Sequence, residues 1–325
     1  MPDQNSQQPD QLAAMRTVAN AVFAYELGRL EKLKTDSTIA HYTTADTALQ
    51  IIKNRSFWLR NAGLMNDFSE IEHGDACLTS AFGDPFVRHR MLEVLDAHYP
   101  GLTDELISGW ERQRVQAKRL TYIGSFAEIP NDDVLGRLSM WRAYGGRAGV
   151  ALCLNTKILD AQTAELGVFH SPVLYGSDAV MRAQVLVLLD RLAAIQPDLK
   201  NAGRDAVTQY LSNLIRFAVL SFKHPGFEEE REWRMIYNLD QRFSPHLEHE
   251  AVSVNGVPQV VCQVPLSNKD GLNMPELGIE NVFDRIIIGP CDSPDQVRMA
   301  LYKALNDQGV PQPRIDISNI PLRQG

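Results

Sequence analysis

The sequence contains little of what would place it in several large protein classes. Its 325 residues include only four cysteines, Cys77, Cys153, Cys262 and Cys291, which lie far apart and form no CxxC pair. Such spacing argues against structural zinc and against a secreted disulfide framework, so we expect a reducing, cytoplasmic location. The chain also lacks any run of about 18 apolar residues and any signal-like first segment, which predicts neither a membrane span nor a signal peptide.

The common motifs of nucleotide and hydrolase chemistry are missing as well. There is no GxxxxGK[S/T] phosphate loop, no GxGxxG turn, no HExxH zinc motif and no GxSxG elbow. These absences disfavour P-loop enzymes, Rossmann dehydrogenases, zincins and α/β-hydrolases. Basic residues are fewer than acidic ones: the chain has 32 Lys and Arg and 40 Asp and Glu, which gives a formal net charge of −8. This balance disfavours general binding to nucleic acid or to an anionic membrane and allows only a local basic groove.

What remains is the composition of an ordinary globular protein, with 44% hydrophobic and 22% charged residues. Strand patterns from both ends of the chain interleave with helical ones, and no linker-like segment separates two halves. We therefore predict a disordered tail over residues 1–10, an amphipathic leading helix over 11–35, and one α+β domain over 36–325. Helical insertions are expected at about 66–118 and 177–223.

Local signals predict the individual elements of that domain. Thr44 or Asp46 is suited to cap a helix that runs through Ile52, and Gly83-Asp84-Pro85 should interrupt a helical stretch. A short helix or a turn is expected at 139–144 and a last helix at 294–307. Strands are predicted over 38–43, 56–60, 120–126, 148–154, 168–175, 231–237, 257–264, 284–289 and 314–317.

Polar and aromatic residues collect at several of the predicted strand ends. Alternation places His41 and Ile39 on one strand face, where His41 is either a functional group or a hydrogen-bonded core histidine. Trp141 and Tyr144, three residues apart, suit a ligand platform or a packed helix face. Asn66-Asp67 is expected to form a turn and to cap a helix that starts near Phe68.

Glu230 and Glu232 form the most informative cluster, because Trp233 and Arg234 follow them in the same charged run. Residues two apart on a strand share a face, so the two carboxylates should lie together and one should bind a proton more readily. A catalytic pair and a solvated charge run at a strand start both fit this pattern. If the pair is catalytic, Glu232→Gln should remove turnover and preserve the fold.

Taken in order, these segments resemble the large bacterial family called domain of unknown function 2971, over roughly residues 38–240. The chain has glycine at 124 and arginine at 147, where that family often has cysteine and histidine. The matching segments are His41-Tyr42-Thr43, Phe57-Trp58-Leu59, Asn66-Asp67-Phe68-Ser69-Glu70, Ser125-Phe126-Ala127-Glu128, Met140-Trp141-Arg142-Ala143-Tyr144 and Phe227 to Arg234.

The same order of segments also looks like the wider ADP-ribosyltransferase pattern, which implies a split sheet around NAD. On that resemblance His41 holds the adenosine-side ribose, Ser125 orders the site, and Glu232 or Glu230 stabilises the oxocarbenium ion that forms as nicotinamide leaves. Tyr42, Trp141 or Tyr144 would stack on the nicotinamide. The implied catalytic residues are Glu232, Glu230 and His41, and the implied NAD-binding residues are His41, Tyr42, Thr43, Ser125, Trp141, Tyr144 and Arg234.

The resemblance therefore implies an NAD-dependent ADP-ribosyltransferase-like protein of the bacterial defence or toxin type. NAD would be its substrate, a protein or nucleic acid its acceptor, and no metal would be needed. One alternative is a metal-dependent nuclease or nucleotide hydrolase in which Asn66, Asp67, Glu70, Glu230 and Glu232 hold a divalent ion. The other is a non-enzymatic binding module whose motif residues form a structural polar network. The sequence leaves the oligomeric state open.

Overall fold

A computed structural model describes residues 4–64, 68–159, 166–240, 243–254, 256–268 and 274–321. The helices are α1 (Gln4–Val22), α2 (Ala24–Asp36), α3 (Ala45–Asn54), α4 (Phe68–Gly83), α5 (Pro85–Met91), α6 (Leu102–Arg119), α7 (Leu138–Tyr144), α8 (Asp178–Ala194), α9 (Gln196–Ala202), α10 (Arg204–Leu220), α11 (Ile279–Val282) and α12 (Pro294–Asp307). The strands are β1 (Ser37–Thr44), β2 (Ser56–Asn61), β3 (Thr121–Pro130), β4 (Gly149–Leu154), β5 (Phe169–Pro172), β6 (Leu174–Tyr175), β7 (Phe222–Lys223), β8 (Glu232–Asn238), β9 (Glu248–Val254), β10 (Val257–Pro265), β11 (Phe283–Ile288) and β12 (Ile315–Ile317).

The chain divides into two compact units. The first consists of Met1–Leu30, Asn66–Arg119 and Pro172–Glu229, and the second of Glu31–Met65, Leu120–Ser171 and Glu230–Gly325. The two predicted helical insertions thus fall in the first unit. The division into units does not test whether residues 36–325 form one domain, which stays a prediction.

The first unit is mainly helical and also contains the short parallel strand pair β6-β7. Helix α1 packs against α9 and α10, and α4 packs against α8. Its interior includes a polar cluster in which the Trp110 indole donates to the Asp75 carboxylate at 2.9 Å, and Lys118 Nζ lies 3.0 Å from the same group. Sharing one buried carboxylate between two donors satisfies its charge inside the helix packing.

The leading segment differs from its prediction in two ways. Helix α1 begins at Gln4, where a disordered tail was predicted over residues 1–10, and the single helix predicted for 11–35 is interrupted at Phe23. Helix propagation adds one hydrogen bond for each residue fixed, which explains why the helical segment extends toward the amino terminus.

The second unit contains a mixed sheet of ten strands and thereby confirms the α+β class. The order is β12-β11-β4-β1-β3-β2-β10-β9, with β8 paired to both β3 and β5. Strand β12 runs parallel to β11, and the other pairings given for this path are antiparallel. Strand β9 was not predicted, because its exposed Glu248, His249 and Glu250 hide the alternation that marks a half-buried strand.

Local signals placed most other elements correctly. Asp84 caps α5 by accepting from the amides of Phe86 and Val87, which confirms the break at Gly83-Asp84-Pro85. Helix α12 covers the predicted range 294–307. Among the helices that the structure describes, none has the length and apolar character that crossing a membrane requires.

Thr44 is the residue that caps α3, and its removal should have a measurable cost. Its hydroxyl accepts from the Thr47 amide at 3.2 Å. We expect Thr44→Ala to lower the free energy of unfolding by about 1 kcal/mol, because one amide of the first helical turn loses its partner. Urea unfolding measures the change, and Thr44→Ser, which keeps the oxygen, is the control. Equal losses in both variants would contradict the capping role.

Candidate functional site

The sheet of the second unit divides at β3. Strand β8 follows one edge of β3 from Thr121 to Ala127, whereas the opposite edge pairs with two strands in succession. Strand β1 pairs there up to Ala40 opposite Ala127, and β2 pairs at Arg60 opposite Ile123. Between these two pairings, over 124–126, the described strands leave that edge of β3 unpaired. We call this opening the fork.

Gly124 lets β2 approach β3 at the fork. A Cβ at this position would lie 2.8 Å from Leu59 Cδ2, closer than real Cβ contacts allow.

His41 lies in the fork. Its Nδ1 is 3.1 Å from the Ser125 carbonyl oxygen, and its ring centroid is 5.7 Å from that of Phe57 and 5.6 Å from that of Phe126. Because a carbonyl only accepts, Nδ1 carries the proton and donates. The imidazole therefore replaces one of the backbone hydrogen bonds that β3 lacks at this point.

The imidazole of His41 is neutral at pH 7. Burial lowers the pKa of His41 below its ordinary value of 6.5, and the hydrogen bond to Ser125 offsets only part of that effect. In the neutral tautomer with a proton on Nδ1, Nε2 is an acceptor. Within the described residues, Nε2 makes no hydrogen bond, so it is available to a ligand hydroxyl.

The register assigns the predicted site residues to two faces of the sheet. Directly opposed residues on paired strands share a face, and Glu232 opposes Ala127, which opposes Ala40. Glu232 therefore lies on the face of Ala40, and His41, the next residue on β1, lies on the other. The pleat thus puts the side chains of His41 and Glu232 on opposite faces of the sheet, and their implied meeting around one NAD molecule stays a prediction.

The two faces carry different parts of the motifs. The Trp141 face is the one that Trp141 covers, where Tyr42, Ala127 and Cys153 join it in a buried cluster. Ser125 and Arg234 oppose each other and lie on this face with Glu232. The His41 face carries His41, Thr43, Phe126, Glu128 and Trp233.

Glu232 and Arg234 form a buried ion pair on the Trp141 face. Arg234 Nε lies 2.8 Å from Glu232 Oε1 and Nη2 lies 3.3 Å from Oε2, and the side chains are only 2% and 5% exposed, respectively. Spacing of two along β8 brings both side chains to the same face, which makes this two-point contact possible. Arg234 thus acts as the partner that orients Glu232.

Glu230 does not belong to that strand. It is the last residue of the 3-10 helix Pro225–Glu230, Arg231 has a left-handed φ of 45°, and β8 begins at Glu232. The prediction that Glu230 and Glu232 share a strand face is wrong, because the turn at Arg231 interrupts the alternation. The Glu230 carbonyl instead accepts from the Arg137 guanidinium at 2.8 Å.

Trp141 and Tyr42 are core residues. They are 3% and 6% exposed, their rings meet at 4.7 Å, and the Tyr42 hydroxyl accepts from the Arg137 amide at 3.1 Å. Burial raises the pKa of Tyr42 to about 12. A Cβ at Gly289 would lie 2.7 Å from the indole, so protein atoms enclose that ring. Neither ring offers a free face, which corrects their predicted stacking on nicotinamide; Tyr144 is 42% exposed.

The side-chain hydroxyl of Ser125 takes no part in the hydrogen bonds that hold the described strands together. Its Oγ is buried and has no hydrogen-bond partner. A buried hydroxyl left unpaired costs about 1–3 kcal/mol, so such groups are rare in folded proteins without a ligand or water to bind them. The hydroxyl lies directly across from Arg234 and next to the fork.

Residues 140–235 match the model of the family described as protein of unknown function DUF2971. The resemblance is thereby confirmed over a segment that contains Trp141, Tyr144, Glu230, Glu232 and Arg234. No curated protein and no solved structure matches the chain.

The DUF2971 segment supplies the ion pair but not the fork. His41 and Ser125 lie on β1 and β3, before the segment begins, whereas the first four residues of β8, which lies along the other edge of β3, belong to it. The candidate site thus joins the DUF2971 segment to strands that precede it in the chain.

Sequence reasoning missed two residues near this site. Arg137 donates to the carbonyl oxygens of Glu230 and Glu128 and so fixes the turn before β8; as an isolated arginine before a helix it gave no signal. His170, on β5 beside β8, is half-buried, its Nε2 is buried and has no hydrogen-bond partner, and desolvation lowers the pKa of the side chain to about 4. Only its alternation within a short strand could have indicated it.

Some of the residues predicted to hold a metal ion in the alternative function lie outside the described residues. Asn66 and Asp67 lie outside the described residues, as do their predicted turn and cap and the side chain of Glu70, although α4 does begin at Phe68. Within the described part of the chain, no three His, Cys, Asp or Glu side chains are grouped to hold a metal ion.

Proposed function

We propose that this protein is an NAD-dependent ADP-ribosyltransferase-like enzyme that modifies a macromolecular acceptor, and that the fork is its NAD site. The observation that carries the proposal is that two polar groups beside the fork, His41 Nε2 and Ser125 Oγ, make no hydrogen bond within the described residues. His41 offers a neutral acceptor nitrogen, and the Ser125 hydroxyl has no partner, although both lie within the same pair of strands. A ligand that offers a hydroxyl group on each side of the sheet, such as a dinucleotide with its two riboses, satisfies both.

The two faces set how NAD would lie. Because His41 and Glu232 face opposite sides, a dinucleotide that meets both passes through the fork. The adenosine-side ribose then binds Nε2 of His41, and the nicotinamide ribose lies on the Trp141 face beside Ser125. Of the predicted aromatic platforms, Tyr144 is the exposed one and stacks on the nicotinamide.

In this proposal the chemistry needs one carboxylate and no metal. The bond between the ribose C1′ and the nicotinamide nitrogen breaks, and nicotinamide leaves as a neutral molecule with the bonding electrons. Glu232, oriented by Arg234, stabilises the positive charge that develops on the ribose. A nucleophile of the acceptor, or water, then bonds to C1′ and loses its proton. Glu230, outside the strand, is assigned to the acceptor side.

Ser125→Ala tests the proposal with little disturbance of the fold. The variant removes a buried hydroxyl that has no partner, so we expect stability to be kept or slightly raised. Nicotinamide release from NAD should fall about tenfold, the effect of losing one good hydrogen bond in the transition state. Chromatography of released nicotinamide gives the rate, and Ser253→Ala, on exposed β9, is the matched control.

His41→Asn extends the test to the other face. Asparagine keeps a donor close to the position of Nδ1 but removes Nε2, so a folded variant that no longer binds NAD supports the assigned role. Wild-type protein that neither binds nor consumes NAD would overturn the proposal.

A second candidate function has its own support. The buried pair of Glu232 with Arg234 and the contacts of Arg137 form a polar network that suits a non-enzymatic binding module. Such networks specify a single arrangement of strands when every member is satisfied. This candidate takes the place of the first if Ser125→Ala, His41→Asn and wild type are alike in the presence of NAD.

A further inference from the structure

Strand β9 lies at one end of the ten-stranded sheet, and β2 and β10 separate it from the fork. Among the strands that the structure describes, none pairs with its outer edge. Glu248 to Ala251 and Ser253 are exposed, and Val252 and Val254 are half-buried. The strand at the opposite end of the sheet, β12, has only three residues. Because long exposed edges pair readily with a further strand, β9 is the edge of this sheet that suits a partner.

Pro258 determines which backbone groups of β9 point away from the sheet. It lies opposite Ser253, and a proline has no amide hydrogen to donate. The two residues therefore form a pair without mutual hydrogen bonds, and such pairs alternate with hydrogen-bonded ones along an antiparallel ladder. Strands β9 and β10 pair residue by residue along the whole of β9. By this alternation, the amides and carbonyls of His249, Ala251 and Ser253 point to the open edge.

The three outward residues are arranged symmetrically about Ala251. If a second copy of the chain approaches antiparallel with Ala251 opposite Ala251, His249 of each copy lies opposite Ser253 of the other. All three outward positions then form hydrogen-bonded pairs, and each pair exchanges two backbone hydrogen bonds. A contact of this kind uses the same surface on both copies, so it closes after two chains.

Glu248 and Glu250 favour this register over the other symmetric ones. With the symmetry axis at Ala251, each glutamate lies opposite a valine of the second copy. An axis at His249 would instead place Glu248 opposite Glu250, and like charges directly opposite each other destabilise a pair of strands. An axis at Ser253 would pair only the end of the strand. The register about Ala251 thus uses every outward group and opposes no two carboxylates.

We propose that β9 is a dimer interface, in which β9 of a second copy of this chain pairs antiparallel with Ala251 opposite Ala251. The sheets of the two copies continue into one another across the symmetry axis. Val252 and Val254, which are half-buried in the single chain, gain contacts with the glutamate side chains of the other copy. The interface is independent of the fork and of NAD.

Ala251→Pro tests the pairing and leaves the hydrogen bonds between β9 and β10 in place. Since the Ala251 amide points outward, proline removes a donor only from the open edge. Size-exclusion chromatography with light scattering should give twice the chain mass of 36.4 kDa for wild type. Loss of one donor from each copy should raise the Kd of the dimer at least about tenfold. Ala251→Val, which keeps the amide, is the control and should stay dimeric, and circular dichroism checks that both variants fold.

Cysteine crosslinking tests the register. Hydrogen-bonded residues that oppose each other on antiparallel strands have Cα atoms about 5.5 Å apart, which a disulfide can span. Ala251→Cys should therefore form a covalent dimer under mild oxidation. Ser253→Cys should not, because the two copies of that residue lie about 14 Å apart along the strands. Wild type gives the background from Cys291, since the other native cysteines are buried.

Three outcomes would overturn the proposal. A wild-type protein with the mass of one chain would exclude the dimer and leave the edge to an extended segment of another protein. A dimer that Ala251→Pro does not weaken would show that the edge of β9 is not the contact. Crosslinking of Ser253→Cys as readily as Ala251→Cys would exclude the register.

Discussion

Glu232→Gln is expected to lower the free energy of unfolding by about 3–5 kcal/mol, because the buried Arg234 would lose the carboxylate that its Nε and Nη2 contact. The pair is nearly inaccessible to water, so solvent cannot replace the lost carboxylate. Urea unfolding followed by circular dichroism measures the change. The sequence alone predicted that this variant would preserve the fold; the buried arginine is the reason for the new expectation.

A double-mutant cycle isolates the contribution of the pair. Arg234→Met should cost a similar amount, whereas the combination of Glu232→Gln with Arg234→Met should cost much less than the sum of the two. Asp307→Asn is the control, because it breaks an exposed pair with Lys303 and should cost at most about 1 kcal/mol. Additive losses in the double variant would show that the pair does not act as a unit.

This result also determines how activity data should be read. If Glu232→Gln unfolds part of the protein, its loss of turnover does not identify a catalytic carboxylate. Ser125→Ala and His41→Asn then carry the functional test, because neither leaves a buried charge unpaired.

Acidification from pH 6.5 to about pH 4 is expected to remove about 3 kcal/mol of stability through His170 alone. Burial lowers the pKa of His170 from 6.5 to about 4, so the unfolded chain binds a proton in this range and the folded chain does not. The stabilising contribution is therefore present above pH 6.5 and is lost as the pH falls. The lowered pKa of His41 acts in the same direction.

His170→Leu should remove most of this pH dependence. Leucine fills this half-buried position without a titrating group, so the free energy of unfolding should change less between pH 6.5 and pH 4 than in wild type. His89→Gln, at an exposed position, should keep the wild-type slope. Unfolding by urea at several pH values provides the comparison, and identical slopes in wild type and His170→Leu would show that His170 is not the group responsible.

The sequence by itself determined the position and type of most of the helices and strands. The cap at Thr44, the break at Asp84 and the extent of α12 all follow from signals within a few residues of each site. Such signals are local because capping and helical periodicity depend on neighbours along the chain. The motif order was also sufficient to recognise the family that residues 140–235 match.

Only the tertiary structure decided how those elements present their side chains. The sheet face of Glu232 follows from the pairing of Glu232 with Ala127 on β3. The sheet face of His41 follows from the pairing of its neighbour Ala40 with the same residue of β3. These pairings join strands that are far apart in sequence, and a shift of one residue would reverse every side chain. The left-handed backbone at Arg231 likewise separates Glu230 from β8, and the alternation of residues in the sequence does not predict it.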